Sequence, residues 1–489
     1  MPRRSSHPTA RLVAAAVVLL AITAPGRAIA QDAPQQYDLV ISNGRVVDPA
    51  SRRDQIVNVG IIDGKIAAIS RATLTGKRTI DAKGLVVAPG FIDLHEHVND
   101  DATFGHQVRD GVTSAFEMEA GTDDVAAWYR ARGEAQRINF GVAIGHMQVR
   151  IRAFGGQTGL TPSGPSAHSP ATQAQRDQMT KLLEQGLAEG ALGVGAGFAY
   201  TEGMTADEMA DVFKVAARAH VPVYVHIRSG MGGVREALAA ARTAHSAIHF
   251  VHINSVSLAE TPQALAAIAD ARRAGRDVTT EAYPYSAGMT GIQSAILDAY
   301  ENAPDSMYQK LLRPETGERL TRETFAQYRK SGGTIIIFMN SEAMVDTAMI
   351  SPMTMVASDA YMIGEKGHPR TSGTYSRSLK RYVRELKAVS LMDMIRKMSL
   401  MPAERLAGRV PAMRKKGRIA LGADADLVII DNGDRGRPSD LHGADAPSGR
   451  HSVCAGERRG RGGQGRAGGW RAAGTAGARA PTARVTRPS

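Results

Sequence analysis

Between residues 91 and 283, short apolar runs alternate with longer amphipathic stretches. Residues 111–119, 140–146, 191–198, 221–227, 248–254 and 278–283 read as buried strands. Residues 123–136, 174–189, 205–220, 233–245 and 261–274 carry a helical period. Thr205 is placed to cap its helix, with Glu208 at the spacing of a capping box. Repeated βα units of this length imply a parallel sheet with crossover helices, either closed into a barrel or left open. Residues 287–333 read as a partly helical insertion, 334–339 and 355–358 as further strands, and 391–398 as a helix.

The flanks have a different texture. Residues 37–84 form a series of short β segments, with turns expected at Asn43-Gly44, a hairpin signal, and at Asp63-Gly64. Short β pieces return at 417–431. The two flanks are expected to build one small β unit, interrupted by the strand–helix region.

Composition changes this picture only at the termini. The net charge is +12. Residues 1–30 hold four arginines and no acid, and residues 432–489 hold eleven arginines against four acids, which leaves the body near neutrality. A basic nucleic-acid face is therefore not indicated. Residues 1–30 read as a signal peptide: arginines precede an apolar stretch too short to span a bilayer, and Ala28-Ile29-Ala30 matches a cleavage site. The expected mature protein starts near Gln31, is periplasmic or secreted, and has no membrane span. The single cysteine, Cys454, excludes an intrachain disulfide.

Candidate chemistry concentrates at the strand ends. The apolar run 86–94 ends in His95-Glu96-His97, where a strand would aim both imidazoles the same way. Glu117 and Glu119 share a face at the end of the next strand. His226 and His252 end two later strands, and Asp359 follows another. His146 also ends a strand and is a candidate supporting residue. His106, His168, His220, His245, His249 and His368 lack this placement and read mostly as solvated. Four imidazoles with carboxylates and no thiolate suit zinc, or another borderline divalent ion. Such an ion lowers the pKa of bound water to about 7, and a nearby carboxylate can shuttle protons, as amide or ester hydrolysis requires.

These residues resemble a known family. PGFIDLHEH, the His226 and His252 strands, SDA at 358–360 and GADADLVIID near 421–431 are similar to the amidohydrolase superfamily. GALGVGAGFAY (190–200), EAYPYSAG (281–288), HPRTSGTYSR (368–377) and MPAERL (401–406) resemble its D-aminoacylase, or N-acyl-D-amino-acid deacylase, branch. The resemblance implies an α/β fold: a (β/α)8 TIM-like barrel with a small discontinuous β-sandwich domain. It places that domain at 31–88 and 405–431 and the hydrolase barrel at 89–404.

The resemblance implies one or two zinc ions held by His95, His97, His226 and His252, with Asp359 at the metal and acting as the proton-transferring base. It implies that Arg370 grips a substrate carboxylate as a guanidinium fork and that Tyr283 helps to position it. Tyr200 and Asn254 are further candidate substrate contacts. The branch has a cysteine ligand on the second strand; here GVTSAFEMEAG offers Glu119, or failing that Glu117, and a bridging carboxylate favours two ions. Asn254 stands where the branch often has a lysine, and Gly288-Met289 where it has a Ser or Thr pair. The strand at 190–200 holds no lysine for a carbamylated bridge. The expected activity is hydrolysis of N-acyl-amino acids, with the D configuration expected, by metal-activated water. A cyclic amidase, a dipeptidase or an inactive relative are the alternatives.

Beyond Asp431 periodicity is lost, and Arg, Gly and Ala dominate. A disordered tail is expected, its abrupt onset suggesting a shifted reading frame. Resequencing the gene across that point tests this; an intact frame with ordered strands in 440–489 would refute it.

Overall fold

The computed structural model describes residues 36–431, except 98–99, 134–135, 157–158 and 364–365 and the side chain of residue 363. The expected signal peptide and the arginine-rich tail lie outside the described residues.

The chain begins with β1 (Gln36–Asp48), β2 (Arg53–Ile62), β3 (Lys65–Ser70), β4 (Thr75–Asp81) and β5 (Val86–Pro89). Asp63-Gly64 makes the expected tight turn, both residues having positive φ. Asn43-Gly44 does not form a hairpin. It lies inside β1, where Asn43 takes φ 59° and the register with β2 shifts. The left-handed residue is used for a bulge instead of a turn. The sheet branches at this point: the first half of β1 pairs with β4 and the second half with β5. The strand Leu427–Ile430 joins the same sheet, antiparallel to β5. Ile41, Val46, Val59, Ile66, Leu427 and Ile429 are among the residues of its core.

Pro89-Gly90 ends this sheet, and the next residue opens the barrel. Its strands are β6 (Phe91–Asp93), β7 (Val112–Thr122), β8 (Asn139–Gly145), β9 (Val194–Gly197), β10 (Val223–His226), β11 (Ile248–Phe250) and β12 (Val278–Ala282), all parallel to their neighbours. The chain then departs into β13 (Ala287–Gly291), β14 (Leu311–Arg313), β15 (Glu318–Arg319) and β16 (Thr334–Phe338) before β17 (Thr354–Val356) pairs with β12 as the eighth barrel strand.

The barrel's first and last strands are stitched by their exits. The buried Asp93 carboxylate accepts from Ser358 N (3.0 Å), His95 N (3.1 Å) and Gln107 Nε2 (3.2 Å). Burial pushes its pKa up to about 7. His97 N donates to Ala360 O at 2.8 Å across the same seam. Closure therefore fixes the spacing between His95, His97 and Asp359.

Two expectations change here. The run at 334–339 is a strand, but it belongs to the insertion, pairing antiparallel with β13 and β14. Ile335 and Ile337 pack on the insertion's own core, while Ile336 meets Met289 on the opposite side. A strand apolar on both faces reads like a barrel strand, so periodicity could not separate the two. At the helix Ala206–Arg218, Thr205 does accept from Glu208 N (3.3 Å). The Glu208 side chain completes no capping box; it is buried against Arg150 and His146.

Candidate metal centre and cavity

β6 ends at Asp93, so His95 and His97 sit on the first residues beyond it and their rings meet edge to face, 4.9 Å apart. The Nε2 atoms are separated by 3.2 Å. Asp359 reaches this pair from the far side of the seam, its Oδ1 3.1 Å from His97 Nε2 and 3.6 Å from His95 Nε2. Asp359 is held at φ 51° and His252 at φ 28°. Strained non-glycine backbone of this kind persists where the surroundings over-determine it.

Glu119 is brought in by the shape of β7. Past Glu117 this strand bulges against β8, resuming register only at Thr122. The bulge packs tightly on its neighbours. A Cβ on Gly195 of β9 would lie 2.2 Å from Glu119 O, and one on Gly145 of β8 1.9 Å from Ala120 O. Glycine at these positions lets the bulge lean over the barrel mouth. Glu119 Oε2 lies 2.6 Å from His95 Nε2 and 3.4 Å from His97 Nε2, and Oε1 lies 2.7 Å from His226 Nδ1. His252 Nε2 is 3.7 Å from Oε2.

Two ligand sets therefore share one carboxylate. His95, His97, Glu119 and Asp359 each offer an atom within 4.8 Å of the others, and so do Glu119, His226 and His252. The donor set fits one or two divalent ions. Electrostatics agree with that fit. Burial opposes ionisation of Glu119, but the His226 and His95 charges outweigh it and hold the carboxyl well below the usual range. Burial likewise opposes charge on His95, yet Asp359 and Glu119 raise it well above the ordinary imidazole value. The pocket demands positive charge. Glu117 is not one of these donors. It lies 2.8 Å from His97 Nδ1 and accepts from Ala120 N, and so orients His97.

A second orienting chain was missed from sequence. Glu281, near the end of β12, lies 2.7 Å from His95 Nδ1 and 3.0 Å from His249 Nε2, and His249 Nδ1 lies 2.7 Å from Thr279 Oγ1. Burial works to raise the Glu281 pKa, but the bonds from His249 and His95 prevail and hold it at about 2. His249 is fully buried, not solvated, and so is His368 at 4 % exposure, its Nδ1 accepting from Arg370 N. A signal existed for His249, a polar residue between apolar ones on a barrel strand, the pattern of an inward-facing group. His146 heads its own helix and pairs with Glu208, outside both ligand sets.

A cavity of about 350 Å³ opens on the centre, with His97, Glu119, His226, His252 and Asp359 on its wall. Tyr200 and Tyr283 line it, Tyr200 with its ring 4.8 Å from His226. Burial pushes the Tyr283 hydroxyl up to about 12. Two expected substrate contacts sit elsewhere. Asn254 is buried behind the wall, where its Nδ2 donates to Tyr283 O at 3.2 Å. Arg370 is fully buried and also off the wall; its Nη1 pairs with Asp359 Oδ2 at 2.8 Å and its guanidinium lies over the Tyr283 ring. Each of the two contacts a residue that does line the cavity.

An amidohydrolase family model matches residues 78–459. The chain belongs to the amidohydrolase family. Relatives that match it along most of their length include members of the D-aminoacylase branch. An N-acyl-D-glutamate deacylase of Alcaligenes xylosoxydans xylosoxydans is 30% identical over 448 residues, covering 81% of this chain and 88% of that protein. A D-aminoacylase from the same organism is 26% identical over 82% of this chain and 90% of its own length. In fold, this amidohydrolase resembles a Bordetella bronchiseptica N-acyl-D-glutamate deacylase solved with zinc and a phosphonate inhibitor. The TM-score is 0.73 at 24% identity, covering 90% of this chain and all of the other.

Proposed function

We propose that this amidohydrolase uses zinc to cleave the amide bond of N-acyl-D-amino acids, releasing a carboxylate and a free D-amino acid. The reading rests on one observation above all: Glu119 stands between the His95/His97 pair and the His226/His252 pair. The relatives named for N-acyl-D-glutamate and D-amino acids support the substrate class, and imidazole and carboxylate donors without a thiolate support zinc. His95, His97, Glu119, His226 and His252 would hold the ion or ions, with Asp359 alongside. A divalent ion bound there polarises the scissile carbonyl and lowers the pKa of the attacking water.

The remaining work falls to the chain's own groups. Arg370 and His95 keep Asp359 ionised against the cost of its burial, so it is ready to accept a proton. Asp359 takes that proton from the attacking water as oxygen adds to the acyl carbon, and passes it to the amide nitrogen as the C–N bond breaks. Tyr200, Tyr283 and the apolar wall exclude bulk water from this exchange. Metal analysis of the purified protein beside an assay on N-acetyl-D- and L-amino acids tests the reading. Asp359→Asn is expected to lower turnover at least about a hundredfold while metal content largely persists; undiminished turnover would remove Asp359 from its role.

We also propose that the protein is exported. The support is the arginine–apolar–small pattern of residues 1–30. Among the described residues no helix is long and apolar enough to cross a membrane. N-terminal sequencing of protein from the native host is expected to begin near Gln31; an intact Met1 would reject export by cleavage.

A further inference from the structure

The cavity bears on which N-acyl-D-amino acids fit, an inference that rests on the function proposed above. Ala120, Met147, Tyr200, Leu160 and Ile296 form an apolar cluster separate from the barrel core, and all of them line the cavity. The insertion adds Met289 and Ile337, together with Met339 just beyond β16. Gly288 keeps that side open, since a Cβ there would lie 2.6 Å from Met339 Cε and 3.2 Å from Tyr283 Oη.

The ionisable groups on the wall, apart from tyrosines, are Glu119, Asp359 and the imidazoles of His97, His226 and His252. Among the described residues, no lysine or arginine lines the cavity. One guanidinium, that of Arg370, lies behind Asp359 and Tyr283, with its Nε unpartnered. It can serve one carboxylate, and every N-acyl-amino acid brings an α-carboxylate. A D-glutamate or D-aspartate derivative brings a second. That group would lie against methionine, leucine and isoleucine side chains, with hydroxyls such as Thr161 and Thr290 but no cation to pair with, and with two acids already on the same wall. Burying a carboxylate without a partner is strongly unfavourable. The positive charge that one divalent ion would bring is balanced by Glu119 and Asp359.

We infer that this amidohydrolase selects N-acyl-D-amino acids with an apolar side chain and a single carboxylate, and rejects the acidic substrates for which two of its relatives, the N-acyl-D-glutamate and N-acyl-D-aspartate deacylases, are named. The side chain rests on the Met147, Leu160 and Ile296 wall under the Met289 roof. A cation on that wall reverses the preference.

The experiment measures kcat/KM and calorimetric binding of the full chain for N-acetyl-D-leucine and N-acetyl-D-methionine against N-acetyl-D-glutamate and N-acetyl-D-aspartate. The apolar pair is expected to be favoured at least about tenfold in both readouts. Equal or better use of the acidic pair overturns the inference and leaves the deacylase reading intact. Binding of the apolar pair with no turnover of any substrate sustains the cavity preference and sinks the deacylase reading. Binding of neither pair overturns the inference. Met289→Lys is expected to shift the glutamate-to-leucine binding ratio at least about tenfold toward glutamate. Thr161→Lys, on the same wall at a partly exposed site, repeats the test if the first variant does not fold. An unchanged ratio in both folded variants refutes the assigned wall.

Discussion

Glu281 and His95 are joined at 2.7 Å through His95 Nδ1, while the other ring nitrogen, Nε2, faces Glu119 at 2.6 Å. The imidazole is thus held on one edge by a carboxylate and presents its other edge to the centre. A carboxylate behind a ligating imidazole fixes its tautomer and raises its basicity. Glu281 is itself held by His249, which Thr279 holds in turn through Nδ1, so the orientation is inherited from the interior of the barrel.

Glu281→Gln keeps the volume but removes the charge. It is expected to weaken metal affinity about 10- to 100-fold, read by competition against a chromophoric chelator. Affinity equal to the parent protein would show that His95 needs no help from β12.

The bulge of β7 gives a second prediction. A methyl group at Gly195 would meet Glu119 O at 2.2 Å, and backbone cannot swing aside as a side chain can. Gly195→Ala is expected to cost about 1–3 kcal/mol of stability and to lower the metal-to-protein ratio by displacing the shared carboxylate. Denaturant unfolding with parallel metal analysis checks both. A variant with full stability and full metal content would mean that the glycine is incidental to the placement of Glu119.

Much of this site was legible because its donors obey one rule: they sit near or just past the C-terminal ends of barrel strands, where side chains leave the packed interior. His95, His97, Glu119, His226, His252 and Asp359 could be gathered on that basis, from a stretch of chain that the barrel closes into a ring. What sequence could not supply was direction. Arg370 matches a motif and Asn254 departs from one, yet position alone did not tell that the first points into Asp359 and the second lies behind Tyr283. Nor could periodicity reveal that 334–339 serves the insertion, because both of its faces are covered.

Glu208 shows the same limit and yields a third prediction. Its spacing from Thr205 suits a cap, but its carboxylate pairs with the fully buried Arg150 and with His146 at 2.8 Å. Removing one partner of a buried ion pair costs about 3–5 kcal/mol, whereas losing an N-cap hydroxyl costs about 1 kcal/mol. Glu208→Gln is therefore expected to destabilise much more than Thr205→Ala in denaturant titrations. Equal losses would return Glu208 to a capping role.

The fourth prediction concerns pH. Lys397 is buried, and its ammonium donates to Met349 O and to Ser351 O (2.7 Å). Burial lowers its pKa to about 7, against about 10.4 in an unfolded chain. The unfolded state therefore holds more protons between those values, and stability rises with pH across that window. Below pH 7 both states are charged, and the folded form carries the full cost of burying the ammonium. Above about pH 10 both are neutral and the cost is gone. Lys397→Met keeps most of the stem without the charge. The parent protein is expected to gain stability relative to this variant by up to roughly 1.4 kcal/mol per pH unit between pH 7 and 9, a window chosen below the onset of tyrosine titration. Chemical denaturation of both proteins at pH 7, 8 and 9 measures the difference directly. Parallel stability profiles would show that Lys397 stays protonated throughout, with the two carbonyls sufficient to hold its charge in the core.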